Sequence, residues 1–232
     1  MIVLEGVRVE VDDLAASEPG ATKVLLDGLD LELSQQRIAL IGANGSGKST
    51  LLKLLNGLIL PSTGSVRVNG IDTRQGRKVR RHVGYVFTDP LAQLVMSTPL
   101  DDVELSLRSS IKNRAQRRAA AMAILEERGL ARLAHQSIYD LSGGERQLVS
   151  LATVLAVRPE IVVADEPTTL LDLRNRQMLR AAFAGLSQQL IVSTHDLELA
   201  ADADRVLLVS AGGILADGDP GEVIAHYRER MA

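Results

Sequence analysis

Residues 42–49 read GANGSGKS, a glycine-rich run closing on a lysine and a serine, set between the apolar run RIALI and the helical pattern KLLNGL. Glycines let such a loop curl until successive backbone N–H groups converge on an anion, and the positive end of the following helix adds its dipole. The spacing predicts a phosphate cradle made by Gly42, Ala43, Asn44, Gly45, Ser46, Gly47, Lys48, Ser49 and Thr50. In it Lys48 bridges β- and γ-phosphates and the Ser49 hydroxyl holds Mg2+; a plain glycine-rich turn is the bland alternative. A second stretch, IVVADEP at 161–167, ends an apolar strand on Asp165, whose carboxylate can reach the metal through water, while Glu166 can orient or deprotonate an attacking water. Alone, such an acidic pair is equally a strand stopping at a charged loop; the phosphate cradle upstream gives it meaning. STHD then sets His195 at the end of a further apolar run, within reach of a γ-phosphate, although a lone histidine is more commonly structural.

LSGGERQ, residues 141–147, opens a helical pattern with two glycines. Ser142, Gly143 and Gly144 offer a hydroxyl and close-approach N–H groups, a second anion site. Ser142 with Glu145 three residues later also reads as a capping box, and the two readings are compatible.

The elements that must position these residues follow from periodicity. VRVEV alternates, and LLDGLDLEL follows a polar turn region containing Gly and Pro, so the opening is β-rich. RIALI, HVGYVF, IVVAD and LIVST read as buried parallel strands of a doubly wound α/β core. Between Pro90 and Pro159 the strand signal stops, and DDVELSLRSS, NRAQRRAAAMAILEERGL and ERQLVSLATVLAV fit helices of an inserted subdomain. VLLVSAGGILADG reads as a hairpin turning at its two glycines, and PGEVIAHYRER as a last helix with Pro220 near its start.

Composition narrows the function classes. A chain of 232 residues suits one large domain, and the lack of cysteine excludes disulfides and thiolate metal sites. The start, MIVLEGVRVE, lacks the basic-then-apolar order of a signal peptide, and the longest greasy run, at 148–157, is too short for a membrane span. A net charge of −3 argues against general nucleic-acid binding; the basic cluster RQGRKVRRH reads as a solvated loop, with a local nucleic-acid contact as the alternative.

GANGSGKST, LSGGERQ, IVVADEP, the LLD at 170–172 and STHD stand in the order and spacing of ATP-binding cassette ATPases, and the resemblance covers nearly the whole chain. It implies an α/β fold of the P-loop NTPase kind: a RecA-like core sheet with an N-terminal antiparallel β region and an inserted α-helical subdomain. Residues 1–232 then form a single domain, with 1–89 and 160–232 giving the β region and core, and 90–159 the helical subdomain. The cofactors implied are ATP and Mg2+. The catalytic residues implied are Glu166, His195 and Lys48, and the metal contacts are Ser49, Asp165 through water, and Thr88. In that family two cassettes pack head to tail, here a homodimer first, and the signature segment of one covers the ATP of the other. Ser142, Gly143, Gly144, Gln147 and Asp172 are then contacts to the partner's nucleotide, and the paired glycines make room for it.

The segment GYVFTDPLAQLVMSTPLDDV resembles the QNPxxQ region of ATPases from energy-coupling factor importers, bacterial uptake systems for vitamins and transition-metal ions. Thr88, Pro90 and Gln93 accordingly couple to integral membrane transporter subunits; Thr88 stands where the family places a glutamine that senses Mg2+ and the γ-phosphate. The family's adenine-stacking aromatic also has no counterpart, since its position matches Val11 and no aromatic residue precedes Tyr85. The likeness implies a peripheral protein on the cytoplasmic side of the bacterial inner membrane, powering uptake of a vitamin, biotin foremost, or a transition-metal ion. Two other functions stay open: another cassette ATPase, exporter or soluble, and a nucleotide-dependent binding module with weak hydrolysis.

Overall fold

The computed structural model describes residues 1–13 and 20–231, so most of the turn expected between the first two strands lies outside the described residues. The chain runs through β1 (Ile2–Asp12), β2 (Thr22–Leu33), β3 (Arg37–Ile41), α1 (Lys48–Asn56), β4 (Thr63–Val68), β5 (Ile71–Asp72), α2 (Gly76–Val79) and β6 (Val83–Val86). It then enters α3 (Pro99–Ser106), α4 (Arg114–Glu127) and α5 (Gly143–Ala156). The last third holds β7 (Ile161–Asp165), α6 (Leu173–Ala184), β8 (Gln189–Ser193), α7 (Leu197–Ala201), β9 (Arg205–Ser210), β10 (Gly213–Gly218) and α8 (Pro220–Met231).

Two sheets form. The first is antiparallel, in the order β2-β1-β4-β5, and the second runs β10-β9-β3-β8-β7-β6. In the second, β9, β3, β8, β7 and β6 are parallel and β10 pairs antiparallel at the edge. Its strands are nearly continuous apolar runs because both faces are covered. Alternate residues go to opposite cores: Ile38, Leu40, Ile161 and Val163 join the core shared with α1 and the first sheet, while Ala39, Ile41, Val162 and Ala164 join the one packed by α6, α7 and α8. A one-residue slip of any strand would exchange these sets, so the register that aligns the strand ends is strongly specified.

Among the described residues no strand lies between Val86 and Ile161. Helices α3, α4 and α5 close a third core around Leu100, Val103, Leu125, Leu133 and Val149, and Leu148 touches both this core and the one under α6. Helix α5 carries most of the apolar run at 148–157 in buried positions.

The structure adds one pair of strands and corrects two expectations. TGSVRV and Ile71–Asp72 form β4 and β5, where β4 pairs with β1 and with β5. The basic cluster is mostly exposed, as expected, but it is not a loop throughout: a 3-10 turn at Thr73–Gln75, capped by Asp72, leads into α2, and Arg80 donates to the Gly57 carbonyl. In the C-terminal hairpin the turn residues are Ala211 and Gly212, both at positive φ, so Gly213 belongs to β10.

Candidate functional site

The carboxyl ends of β3, β6, β7 and β8 lie side by side, and the loops leaving them carry most of the residues singled out above. This edge of an open parallel sheet is where ligands bind. Gly42 sits at φ +143, and a Cβ there would come within 2.1 Å of the Val209 carbonyl oxygen on β9, so only glycine lets the loop leave β3 this way. Lys48, 5% exposed at the start of α1, folds back and donates from Nζ to the carbonyls of Gly42 at 2.8 Å and Ala43 at 3.1 Å. The Ser46 hydroxyl is buried without a hydrogen-bond partner. Residues 44–50 form one wall of a cleft of about 480 Å³, completed by Glu166, by Lys23, Val24 and Leu25 of β2, and by Ala211 and Gly212. Val11, expected on the base side, does not line it; it is exposed and pairs with Lys23 across the first sheet.

Asp165 ends β7 and is 6% exposed. Its Oδ1 accepts from the hydroxyls of Ser193 at 2.7 Å and Ser49 at 2.9 Å, and its Oδ2 accepts from the Tyr85 hydroxyl at 3.1 Å. Burial first, then the charge and hydrogen bond of Asp165, push the Tyr85 phenol well above its ordinary pKa, so it remains a proton donor at every working pH. Glu166 follows at φ +47, a left-handed conformation costing a non-glycine residue about 1–3 kcal/mol. Its N–H donates to both the carbonyl and the hydroxyl of Ser193, at 3.1 and 3.0 Å. The turn so formed aims the carboxylate into the cleft. Oε2 accepts from the His195 N–H at 3.1 Å, while Oε1 lies 3.1 Å from His195 Nε2 and 3.6 Å from Lys48 Nζ without an aligned hydrogen bond to either. The imidazole Nε2 pairs instead with Asn44 Oδ1 at 2.8 Å, tying β8's loop to the phosphate loop.

The residues suit a phosphate-bound divalent cation. Among the described residues the Asp165 carboxylate is met by three neutral hydroxyls and no cationic side chain, and no cluster of three or more His, Cys, Asp or Glu is arranged to hold a metal by itself. That is the donor set of Mg2+, which takes one or two protein groups and completes its shell with water and phosphate oxygens. The orphaned Ser46 hydroxyl and the open cleft fit a phosphate chain.

The Thr88 hydroxyl donates to the backbone carbonyl of Asp165 at 2.7 Å. Its single proton is thus committed, and the loop after β6 is anchored to the end of β7. Gln93 extends the anchoring, donating to the Ser150 carbonyl and the Thr153 hydroxyl on α5 at 2.9 and 3.0 Å, and Pro90 in the same loop is buried. Gln147 requires a correction: at 1% exposure it cannot face a partner, and its Nε2 donates to the Phe87 carbonyl at 3.4 Å.

The remaining signature residues lie outside the cleft. The capping box forms in full: Ser142 Oγ accepts from the Glu145 N–H, and Glu145 accepts from the Ser142 N–H. The Ser142 backbone N–H first, then its hydroxyl and Arg132, lower the Glu145 pKa. Ser142 and Gly143 are exposed at the end of α5, but Gly144 is buried. A Cβ on Gly144 would lie 2.2 Å from the Asn175 side chain, so the second glycine lets α5 pack closely against this chain's own α6. Asp172 is exposed and caps α6, accepting from the Asn175 N–H at 2.8 Å, between the exposed Leu170 and Leu173. Sequence reasoning passed over Ser193 and Tyr85; a lone polar residue closing the apolar run LIVS was the signal for the first.

The sequence profile of the ABC transporter family matches residues 26–169. The chain is 42% identical over 210 residues to the biotin transport ATP-binding protein BioM of Rhizobium etli, covering 90% of this chain and 94% of that protein. It is 38% identical over 195 residues to the energy-coupling factor transporter ATP-binding protein EcfA1 of Lactiplantibacillus plantarum, covering 82% and 69%. Among solved structures, the dimeric ATP-binding cassette MJ0796 bound to ADP and Pi matches with a TM-score of 0.81 at 28% identity, covering 95% of this chain and 99% of that one.

Proposed function

The chain belongs to the ABC transporter family, and from that premise we propose that it is the ATP-hydrolysing subunit of an energy-coupling factor importer, with biotin as the leading cargo. As a family member it is an ATPase whose hydrolysis is coupled to transport. The observation that carries the catalytic reading is the meeting, at one sheet edge, of the phosphate loop, Asp165 and the inward-turned Glu166.

With nucleotide and metal bound, Lys48 and the loop amides would hold the phosphates and Ser49 and Asp165 the hydrated metal, while Glu166 would accept a proton from water lined up by the His195 loop as that water's oxygen bonds to the γ-phosphorus and ADP leaves. Mg2+ bound there would neutralise charge on the β- and γ-phosphates. Ser142 and Gly143 complete the site on the ATP of a second cassette, a homodimer, and the solvent-facing Leu170, Asp172 and Leu173 suit that interface. The similarity to a dimeric cassette supports this arrangement.

Thr88, Pro90 and Gln93 join the catalytic edge to α5, and we read them as the link to integral membrane subunits. Among the described residues no helix is long and apolar enough to cross a membrane. The likeness to ATP-binding subunits of transporters supports a peripheral place on the cytoplasmic face of the inner membrane. The likeness to BioM carries the choice of biotin. Purification of the tagged chain from detergent-solubilised membranes is expected to bring integral membrane subunits with it. Vesicles holding that complex, supplied with ATP on the side of this chain, are expected to accumulate radiolabelled biotin. Accumulation of nickel or cobalt instead would reassign the cargo, and purification free of membrane proteins would overturn the importer reading.

A further inference from the structure

The registers of β7 and β8 place Ser193 directly opposite Asp165, at the last rung before both strands open into the site. Ser193 is fully buried, and its hydroxyl is used in both directions: it gives its proton to Asp165 Oδ1 at 2.7 Å and accepts the Glu166 N–H at 3.0 Å. The first contact fixes the rotamer of a carboxylate whose other oxygen is held by Tyr85 at 3.1 Å. The second helps hold Glu166 in a backbone conformation that a non-glycine residue does not adopt unaided. A single side chain therefore sets both the metal-facing carboxylate and the turn that aims its neighbour at the reacting water.

We propose that Ser193 is a positioning residue that locks Asp165 and Glu166 into one geometry, and that Tyr85 is a second positioning residue acting on Asp165 alone. The proposal rests on the reading of Asp165 as the metal-holding group and Glu166 as the group that acts on water. The two residues are then separable by experiment. Losing either hydroxyl frees the Asp165 carboxylate and weakens its hold on the metal, whereas only loss of the Ser193 hydroxyl also loosens Glu166.

The test measures Mg2+ titrations of the rise in Tm produced by a fixed concentration of a non-hydrolysable ATP analogue, alongside steady-state kcat at saturating Mg2+. Ser193→Ala and Tyr85→Phe are each expected to raise the Mg2+ midpoint about tenfold, the scale of one hydrogen bond to a charged group. Ser193→Ala is expected to lower kcat about tenfold as well, and Tyr85→Phe to lower it clearly less. A merely structural role would lower Tm without nucleotide and leave the Mg2+ midpoint in place. Should Ser193→Ala not fold, Ser193→Cys gives the same comparison, because a thiol is of similar shape but a much weaker donor. A folded Ser193 variant with an unchanged Mg2+ midpoint, or equal kcat losses for the two substitutions, would overturn the proposal. A wild-type protein whose Tm with nucleotide ignores Mg2+ would instead overturn the reading of Asp165.

Discussion

Glu166→Gln is expected to bind ATP at least as tightly as wild type while turnover falls by about 10²–10³-fold, within the range supplied by a general base. Glutamine has the same length, and its carbonyl can still accept the His195 N–H that now reaches Oε2 at 3.1 Å. The turn at φ +47 is set by the backbone and by Ser193, so it should survive. What is lost is the ability to accept a proton and the negative charge 3.6 Å from Lys48 Nζ. Removing that charge leaves the Lys48 ammonium freer to serve phosphate and relieves repulsion on the γ-phosphate, so binding holds while chemistry stalls. The variant should collect as an ATP-loaded closed pair. Single-turnover assays with radiolabelled ATP check the rate and equilibrium dialysis the affinity; rapid turnover would remove Glu166 from its catalytic role.

Lys48→Ala is expected to lower ATP affinity about 10²-fold, the scale of one or two hydrogen bonds between charged groups. Lys48 is nearly enclosed, and its ammonium now satisfies two loop carbonyls. Alanine removes the only ammonium lining the phosphate end of the cleft among the described residues, since the other lysine there, Lys23, sits on the β2 wall. The fold should tolerate the change, because the loop is shaped by its glycines and by the contact of Gly42 with β9. Calorimetric titration with an ATP analogue measures the loss, and an affinity within threefold of wild type would contradict the assignment.

The strands that carry chemistry were legible because parallel strands covered on both faces must be apolar runs, and each led into a residue whose type is unusual there: Gly42 just after β3, Asp165 at the end of β7, His195 two residues beyond β8. Strand β4 was not legible: TGSVRV is short, mixes polar residues freely, and owes its state to pairing with β1 more than fifty residues away. The same limit explains the site. That the phosphate loop, Glu166 and His195 would meet followed from their places just beyond strand ends, and His195 does contact Glu166 and Asn44, but the Ser193 hydroxyl acts through a cross-strand register that no spacing reveals. At the signature segment, the local signal for a capping box was sufficient, since it involves residues three apart. That the second glycine also lets α5 approach α6 did not follow from the glycines themselves, because it depends on which helix packs there.

The account depends on a catalytic site that two cassettes build together, and the most direct measurement is specific ATPase activity as a function of protein concentration, paired with sedimentation at the same concentrations. Activity per subunit is predicted to rise with the dimer fraction, and Ser142→Ala to stay inactive at concentrations where wild type is fully paired. Undiminished activity per subunit at dilutions that sediment only as monomer, together with an unimpaired Ser142→Ala, would contradict it.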